Sequence, residues 1–328
     1  MLSRTDQLLN QFSGLNVFII GDAMVDAYIE GTIDRISPEA PVPVVRVKSR
    51  DHRLGGAANV ALNIKALGAI PILCTVIGGD AAGKEFINRL KFHGIDRKGV
   101  IESETRPTTI KNRVMSGHHH VVRVDEESDL PLSKQDSNSL SISINQLLPT
   151  CDVIIIEDYD KGVLNPETIA LVLDLASRFN IPVVVDPKRA NFFEYKAVDL
   201  FKPNLKELQE GLNVTVDVHN NLEITSAIET LKKKLMCKGV MVTLSSEGVY
   251  LDYKGEKHRI AAHYRDVADV SGAGDTVISV ASLALAAGLS PKTIAELANL
   301  AGGLVCEYHG VVPLDKELFR KELSKLNY

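Results

Sequence analysis

Short β-branched runs alternate along the chain with stretches whose apolar residues recur at helical spacing. NVFII (16–20), PILCTVIG (71–78), DVIIIED (152–158), IPVVVD (181–186), VDLFKPN (198–204) and KGVMVTL (238–244) are apolar blocks bounded by Gly, Pro or Asp. Unbroken runs of this kind mark strands buried on both faces. Between them, NVALNIKALGA sets Val60, Ile64 and Leu67 at i, i+4 and i+7, one face of a helix. The alternation predicts an α/β fold: a doubly wound, mostly parallel sheet with helices on both faces. Such sheets bind ligands outside the carboxyl ends of their strands, where this chain carries Asp22, Asp158 and Asp186.

Two segments, 26–53 and 108–128, break the rhythm with strand-like alternation of Val, Thr and Arg. They predict β-structure standing off the main sheet, as a lid or a dimer clasp. From Gly274 onward the pattern is mostly helical. No repeat, low-complexity tract or long linker divides the chain, so a single domain over 1–328 is expected. A net charge of −5 and the lack of Trp leave neither a basic field nor many stacking platforms for nucleic acid. No basic-then-apolar leader opens the chain, and VISVASLALAAG is too short to span a bilayer. Cys74, Cys151, Cys237 and Cys306 are scattered without C-x-x-C or zinc spacing and read as reduced core residues, so the expected location is the cytoplasm.

Candidate chemistry sits in a few short stretches. DVSGAGDTVISV (269–280) places Gly272, Ala273 and Gly274 ahead of Asp275 and an apolar run. Asp275 reads as a helix cap. It equally reads as a proton acceptor beside a phosphate seated on the open N–H groups of a helix start. GGDAAGKE (78–85) fits G-x-x-x-x-G-K, but Glu85 stands where a phosphate loop needs Ser or Thr, which favours a strand–turn–helix junction. GDAMVD, after the first strand, lacks the dinucleotide fingerprint. In RLGGAANVALN (53–63), Gly55 and Gly56 precede a helix with Asn59 in its first turn. That is a tightly packed helix start or a cradle for sugar hydroxyls, with Asp26 as a further acceptor. KPNLKELQ (202–209) sets Asn204 and Glu207 at i and i+3, a capping box that also suits a hydrated Mg²⁺. His118, His119 and His120 alternate faces in a strand and cannot all reach one ion.

Together these stretches resemble the ribokinase-like (PfkB) family of sugar kinases, from Val17 to about residue 320. DVSGAGDTV is similar to its C-terminal signature, GGAANVA to its N-terminal glycine motif and NLKE (204–207) to its N-x-x-E motif. GDAMVDAY, RISPEAPVPVV, GGAANVALNI, DYDKGVL, VVDPK and SGAGDTVI are similar, more narrowly, to kinase domains that phosphorylate D-glycero-D-manno-heptose 7-phosphate on the way to ADP-heptose, a lipopolysaccharide precursor. The resemblance implies a ribokinase-like sheet with a small β lid, and ATP-dependent phosphorylation with Mg²⁺ as cofactor and K⁺ as a further candidate. It implies Asp275 as the base, with N–H groups of Gly272, Ala273 and Gly274 on the transferring phosphoryl. Asn204 and Glu207 would place Mg²⁺ through water, and Lys188 would touch the phosphates. Thr243, Ser245, Gly248 and Asn299 would border the nucleotide, Ser245 standing where the family commonly has glycine. Asp269 is the candidate for a monovalent cation.

On the sugar side the resemblance implies Asp26, Gly55, Gly56, Asn59 and Lys161. The distal phosphate needs cations, for which the lid offers Arg123, Arg35, Lys111 and Arg113. The expected partners are ATP, a small sugar phosphate and a second copy of the chain, with neither nucleic acid nor membrane. The chain contains no H-x-G-H motif, so a kinase without an adenylyltransferase domain is expected. The alternatives are the same fold acting on another sugar and a non-catalytic sugar-phosphate-binding regulator.

Overall fold

The computed structural model describes residues 4–326 apart from 118 and 264. In chain order, α1 (Arg4–Asn10) leads to β1 (Asn16–Gly21), β2 (Ala23–Ile36), β3 (Pro43–Gly56), α2 (Ala57–Ala66), β4 (Ile70–Gly78), α3 (Ala81–Phe92) and β5 (Gly99–Ser103). Then come β6 (Ile110–Ser116), β7 (His119–Glu126), α4 (Lys134–Leu147), β8 (Val153–Glu157), α5 (Pro166–Phe179), β9 (Val183–Asp186) and β10 (Leu200–Phe201). The rest holds α6 (Leu205–Leu212), α7 (Asn221–Leu235), β11 (Gly239–Thr243), β12 (Val249–Tyr253), β13 (Glu256–Ile260), α8 (Ala273–Ala286), α9 (Pro291–Val305) and α10 (Lys316–Ser324).

The six apolar runs become β1, β4, β8, β9, β10 and β11, parallel neighbours in the order β11-β10-β9-β8-β1-β4, with β5 beyond β4. Their unbroken hydrophobicity follows from the layers. Val17 and Ile19 pack into the cluster under α2, α8 and α9, while Phe18 and Ile20 pack into the cluster under α4, α5 and α7. Fully burying one such side chain stabilises the fold by about 2 kcal/mol. The other edge is finished by the antiparallel strands β12 and β13, which the periodicity does not separate. Their signal was the pair Lys254–Gly255, whose φ angles of 53° and 81° make a two-residue turn of the primed kind.

Segments 26–53 and 108–128 form a second sheet, ordered β3-β2-β6-β7. The chain leaves the main sheet at Gly21, where a Cβ would lie 1.8 Å from the Glu157 carbonyl oxygen. In the parallel β2–β6 pair, Asp26 stands opposite Lys111 and Tyr28 opposite Arg113. Side chains alternate between faces, so these four share one face of the sheet. GGDAAGKE is a strand–turn–helix junction: Asp80 caps α3 by accepting from the Gly83 N–H (2.7 Å). Cys74, Cys151 and Cys237 are buried free thiols and Cys306 is half-buried. Of the three histidines, His118 lies outside the described residues, and His119 and His120 open β7. Among the described residues no helix is long and apolar enough to cross a membrane.

Candidate active site

The small residues ahead of Asp275 form a turn that runs straight into a helix. Ala273 N–H donates to the Val270 carbonyl (3.2 Å), and Gly272 has φ 78° and ψ 1°, the third-residue conformation of a type II turn. A Cβ on Gly272 would meet Asn59 Nδ2 at 2.9 Å. The first N–H groups of any helix lack intrahelical acceptors. Since the Ala273 N–H closes the turn, it is no longer free for a phosphoryl group, and those of Gly274 and Asp275 are the first-turn donors left at the cleft.

Asp275 itself is 3% exposed. Its Oδ2 accepts from Asn59 Nδ2 (2.7 Å) and its Oδ1 from the Tyr159 hydroxyl (2.8 Å). Burial pushes its carboxyl up, the two hydrogen bonds hold it down, and Asp186 and Asp26 add to the rise, so it ends above the ordinary carboxylate range. A more basic carboxylate at the mouth of a cleft is suited to taking a proton.

That cleft, of about 1110 Å³, runs along the carboxyl ends of β9, β10 and β11 in front of α8. Lys188 Nζ reaches Glu207 Oε1 (2.6 Å), and Glu207 Oε2 accepts from the Asn204 N–H (2.8 Å). Asn204 Oδ1 accepts in return from the Glu207 N–H (2.8 Å), so the capping box is present in full. The carboxylate keeps unused lone pairs beside the cleft. Among the described residues no three His, Cys, Asp or Glu side chains gather to cage a bare ion. Sparse oxygen donors of this kind fit Mg²⁺, which keeps most of its waters.

Thr243 closes β11, and Ser245 and Gly248 bound the short turn after it. Ser245 has φ 55°, the left-handed region that glycine enters without strain. A Cβ on Gly248 would lie 2.0 Å from the Ile260 carbonyl oxygen. Asn299 of α9 donates to the Ala261 carbonyl (2.8 Å), fixing the segment after β13 at the rim. Deeper in, Lys202, 3% exposed, pairs with Asp186 Oδ2 (2.7 Å). Beside them Glu157 is fully buried with neither carboxylate oxygen hydrogen-bonded. Burial and then the Asp186 charge push Glu157 well above the ordinary range. Burial opposes the charge on Lys202, but Asp186 and Glu157 more than offset it.

The second sheet closes the other side of Asp275. Asp26 is buried and holds the Arg113 guanidinium in an ion pair, and Lys111 Nζ stands 5.1 Å over the Tyr159 ring. The volume that a Cβ would take at Gly55 is filled by Asp26 Oδ2 (2.2 Å), and at Gly56 by the Asp22 carbonyl oxygen (2.4 Å). Both glycines therefore serve a tight helix start, with Asp26 packed against Gly55. Asn59 faces Asp275, and Lys161 Nζ is drawn to Glu127 Oε1 (2.8 Å). Arg123 lies opposite Arg113 but one strand further from Asp26, pairing with Asp125 (3.0 Å) with its side chain 61% exposed. Of the lid cations, Arg113 and Lys111 are the ones brought to the site. Asp269 accepts from the Ser271 N–H (2.9 Å) and hydroxyl (2.8 Å) and from the Gly310 N–H (2.9 Å), tying two loops together.

Some contacts lay beyond the sequence reading, which placed Asp22 at a strand end without naming its partners. Asp22 accepts from the N–H groups of Tyr159 (2.9 Å), Lys161 (3.0 Å) and Val163 (3.1 Å), although burial and then the Asp158 charge raise it to about 6. It thereby shapes the DYDKG loop and delivers Tyr159 to Asp275. Tyr28 stacks on Arg53 (4.7 Å) and accepts from the Val311 N–H (3.0 Å), anchoring the second sheet to the loop beside Gly272.

A pfkB family carbohydrate kinase model matches residues 15–317. The chain belongs to the pfkB carbohydrate kinase family. Kinases of this family use ATP and a divalent metal ion. Curated relatives include the bifunctional protein HldE of Helicobacter pylori (strain J99), 39% identical over 88% of this chain and 62% of its own length. The HldE of Methylobacillus flagellatus is 39% identical over 94% of this chain and 63% of its own length. The chain thus spans roughly three-fifths of the length of the curated relatives it matches. Among solved structures, phosphofructokinase-2 from Escherichia coli in complex with substrates and products has a TM-score of 0.81 at 18% identity, covering 96% of this chain and all of that one. Arabidopsis thaliana ribokinase with ribose and ATP has a TM-score of 0.73 at 19% identity, covering 95% and 99%. The pfkB architecture is thus shared at low sequence identity.

Proposed function

We propose that this pfkB kinase transfers the γ-phosphoryl group of ATP to the anomeric hydroxyl of D-glycero-β-D-manno-heptose 7-phosphate, giving the 1,7-bisphosphate for ADP-heptose synthesis in the cytoplasm. The observation that carries the reading is Asp275, a buried carboxylate standing between the cleft and the Asp26–Arg113–Lys111 face. The heptose assignment draws on stretches such as RISPEAPVPV and on relatives named bifunctional protein HldE.

In this mechanism the sugar oxygen attacks the γ-phosphorus while its proton passes to Asp275, and the bond to the β–γ bridging oxygen breaks to release ADP. The N–H groups of Gly274 and Asp275 meet the transferring phosphoryl, a preorganised donor being typically worth about 3 kcal/mol. Lys188 lies at the phosphates; burial works against its charge, but Asp186 and Glu207 hold its pKa above the ordinary value. Asn204 and Glu207 are the residues that would hold Mg²⁺, and the ion would supply neutralisation of the charge on the phosphates. Arg113 and Lys111 supply positive charge toward the distal phosphate. Phosphofructokinase-2 from Escherichia coli is described in a complex with potassium. By analogy Asp269 is the residue that would hold a monovalent cation, which would steady the loop behind Gly272. Phosphorus NMR with ATP, Mg²⁺ and the heptose 7-phosphate is expected to show a new anomeric phosphate. Turnover of another sugar in its place would discard the heptose assignment and keep the kinase.

The chain also pairs with a second copy through the outer face of the second sheet. Val122 and Val124 are each 50% exposed there and alternate with Arg123 and Asp125, which point to the ligand face. Light scattering is expected to give twice the 35.8 kDa chain mass, and a monomer mass at assay concentration would dismiss the pairing.

A further inference from the structure

Both oxygens of the base are occupied, and the two occupants differ in kind. Asn59 is fully buried on α2, where its main-chain carbonyl accepts from Asn63 Nδ2 (3.0 Å) and its side-chain Oδ1 lies 3.5 Å from the same nitrogen, so its amide is held within the helix packing. Tyr159 sits on a loop, half-buried at the edge of the cleft. Asp22 pins its main chain through its N–H, but its ring rests between Lys111 Nζ at 5.1 Å and Lys188 Nζ at 5.2 Å. One of these lysines belongs to the second sheet and the other to the nucleotide cleft. An acceptor hydroxyl positioned between the two half-sites must come within about 2.6–3.2 Å of the base. With Oδ2 held by Asn59, the exchangeable place is Oδ1, where the phenol now stands.

We infer that Tyr159 occupies the acceptor's place on Asp275 until the sugar hydroxyl displaces it, keeping water away from the base while ATP is bound alone. Tyr159 is a positioning residue in this scheme: it acts through Asp275. Without it, water can donate to Oδ1 and attack the γ-phosphorus. Its proton then passes to Asp275, the bond to the β–γ bridging oxygen breaks, and ADP and inorganic phosphate are released. The inference rests on Asp275 being the base of a kinase, but its first test needs no sugar.

That test compares ADP release from ATP and Mg²⁺ alone by the intact chain and by Tyr159→Phe, which keeps the ring and loses the hydroxyl. Hydrolysis is expected to rise about tenfold, a modest share of the 10²–10⁴ a general base can supply. Adding Asp275→Asn to the variant is expected to abolish the gain. An unchanged or lower rate in folded Tyr159→Phe, or a gain that survives Asp275→Asn, overturns the inference whatever the sugar proves to be. If the heptose 7-phosphate is turned over, the acid limbs of the pH profiles give a second readout. The hydrogen bond from Tyr159 lowers the Asp275 pKa, so its loss moves the acid limb of kcat/KM, which reports the free enzyme, to higher pH. The limb of kcat stays in place, because the sugar has already displaced the phenol. The other charged groups around Asp275, namely Asp186, Asp26, Glu157 and Lys202, are common to both proteins. Movement of both limbs would mean that Tyr159 remains bonded during catalysis, and movement of neither that it never shields the base; each overturns displacement.

Discussion

Asp275→Asn is expected to lower kcat for sugar phosphorylation by about 10³-fold, within the range a positioned general base supplies. The exchange is nearly isosteric, so the turn at Gly272 and the N–H donors of the first turn of α8 stay where they are. ATP should therefore bind with about the same affinity, and the loss should fall on kcat. The amide keeps one acceptor oxygen for Asn59 or Tyr159 but cannot take the sugar proton. Folding should not suffer, since Asp275 is a buried carboxylate whose charge is disfavoured by burial and by the Asp186 and Asp26 carboxylates. An equal or slightly higher melting temperature is the expected companion result. Steady-state rates with a coupled ADP assay and ATP titration by calorimetry separate these effects. A kcat within tenfold of the parent would remove Asp275 as base, whereas no turnover by the parent with any sugar would revive the non-catalytic regulator.

The strands were legible because the physics that buries them is local. Each parallel strand is covered on both faces, so Val17 to Ile20 must all be apolar, and the pattern is written in four consecutive letters. β13 escaped for the opposite reason: EKHRI lies on the sheet edge, partly exposed, and carries no apolar run. β10 shrinks from the expected 198–204 to two residues, although the N–H groups of Asp199 (3.0 Å) and Lys202 (2.8 Å) still donate to the β9 carbonyls of Val183 and Val185, and Pro203 has none to give. Within the site, Asp275 was legible through its glycine-rich turn, and Asn204 with Glu207 through their spacing. The partners of these residues were not. Tyr159 meets Asp275 across 116 positions, a contact that follows from Asp22 gathering the loop after β8. The choice of Arg113 over Arg123 depends on the β2–β6 register, which pairs a central strand with one neighbour and leaves the other outside. Register is a property of the assembled sheet, and alternation in a single strand does not contain it.

Lys202→Met carries the largest expected cost in stability. Lys202 is the cation set between two buried acids, with Asp186 at 2.7 Å and Glu157 offering no hydrogen bond of its own. Removing one partner of a buried pair typically costs about 3–5 kcal/mol, because the remaining charge keeps its desolvation penalty and loses its compensation. Methionine fills similar space, so a cavity adds little. The pH dependence identifies the cause. With lysine present, its own pKa is raised in the folded state, so its contribution is complete below the unfolded lysine value and is lost only as pH climbs through the raised one. With methionine, the two acids face each other, and Glu157, already pushed up by burial and Asp186, holds a proton more firmly still. A carboxyl raised in the folded state contributes stability that is present below its unfolded pKa and lost as pH rises through the folded value. Urea unfolding should therefore find the variant weakened most at pH 8 and partly recovered at pH 5, whereas the parent changes less across the same span. A pH-independent loss would assign the cost to packing alone. It would also mean that Glu157 and Asp186 do not share the field that Lys202 neutralises at the floor of the cleft.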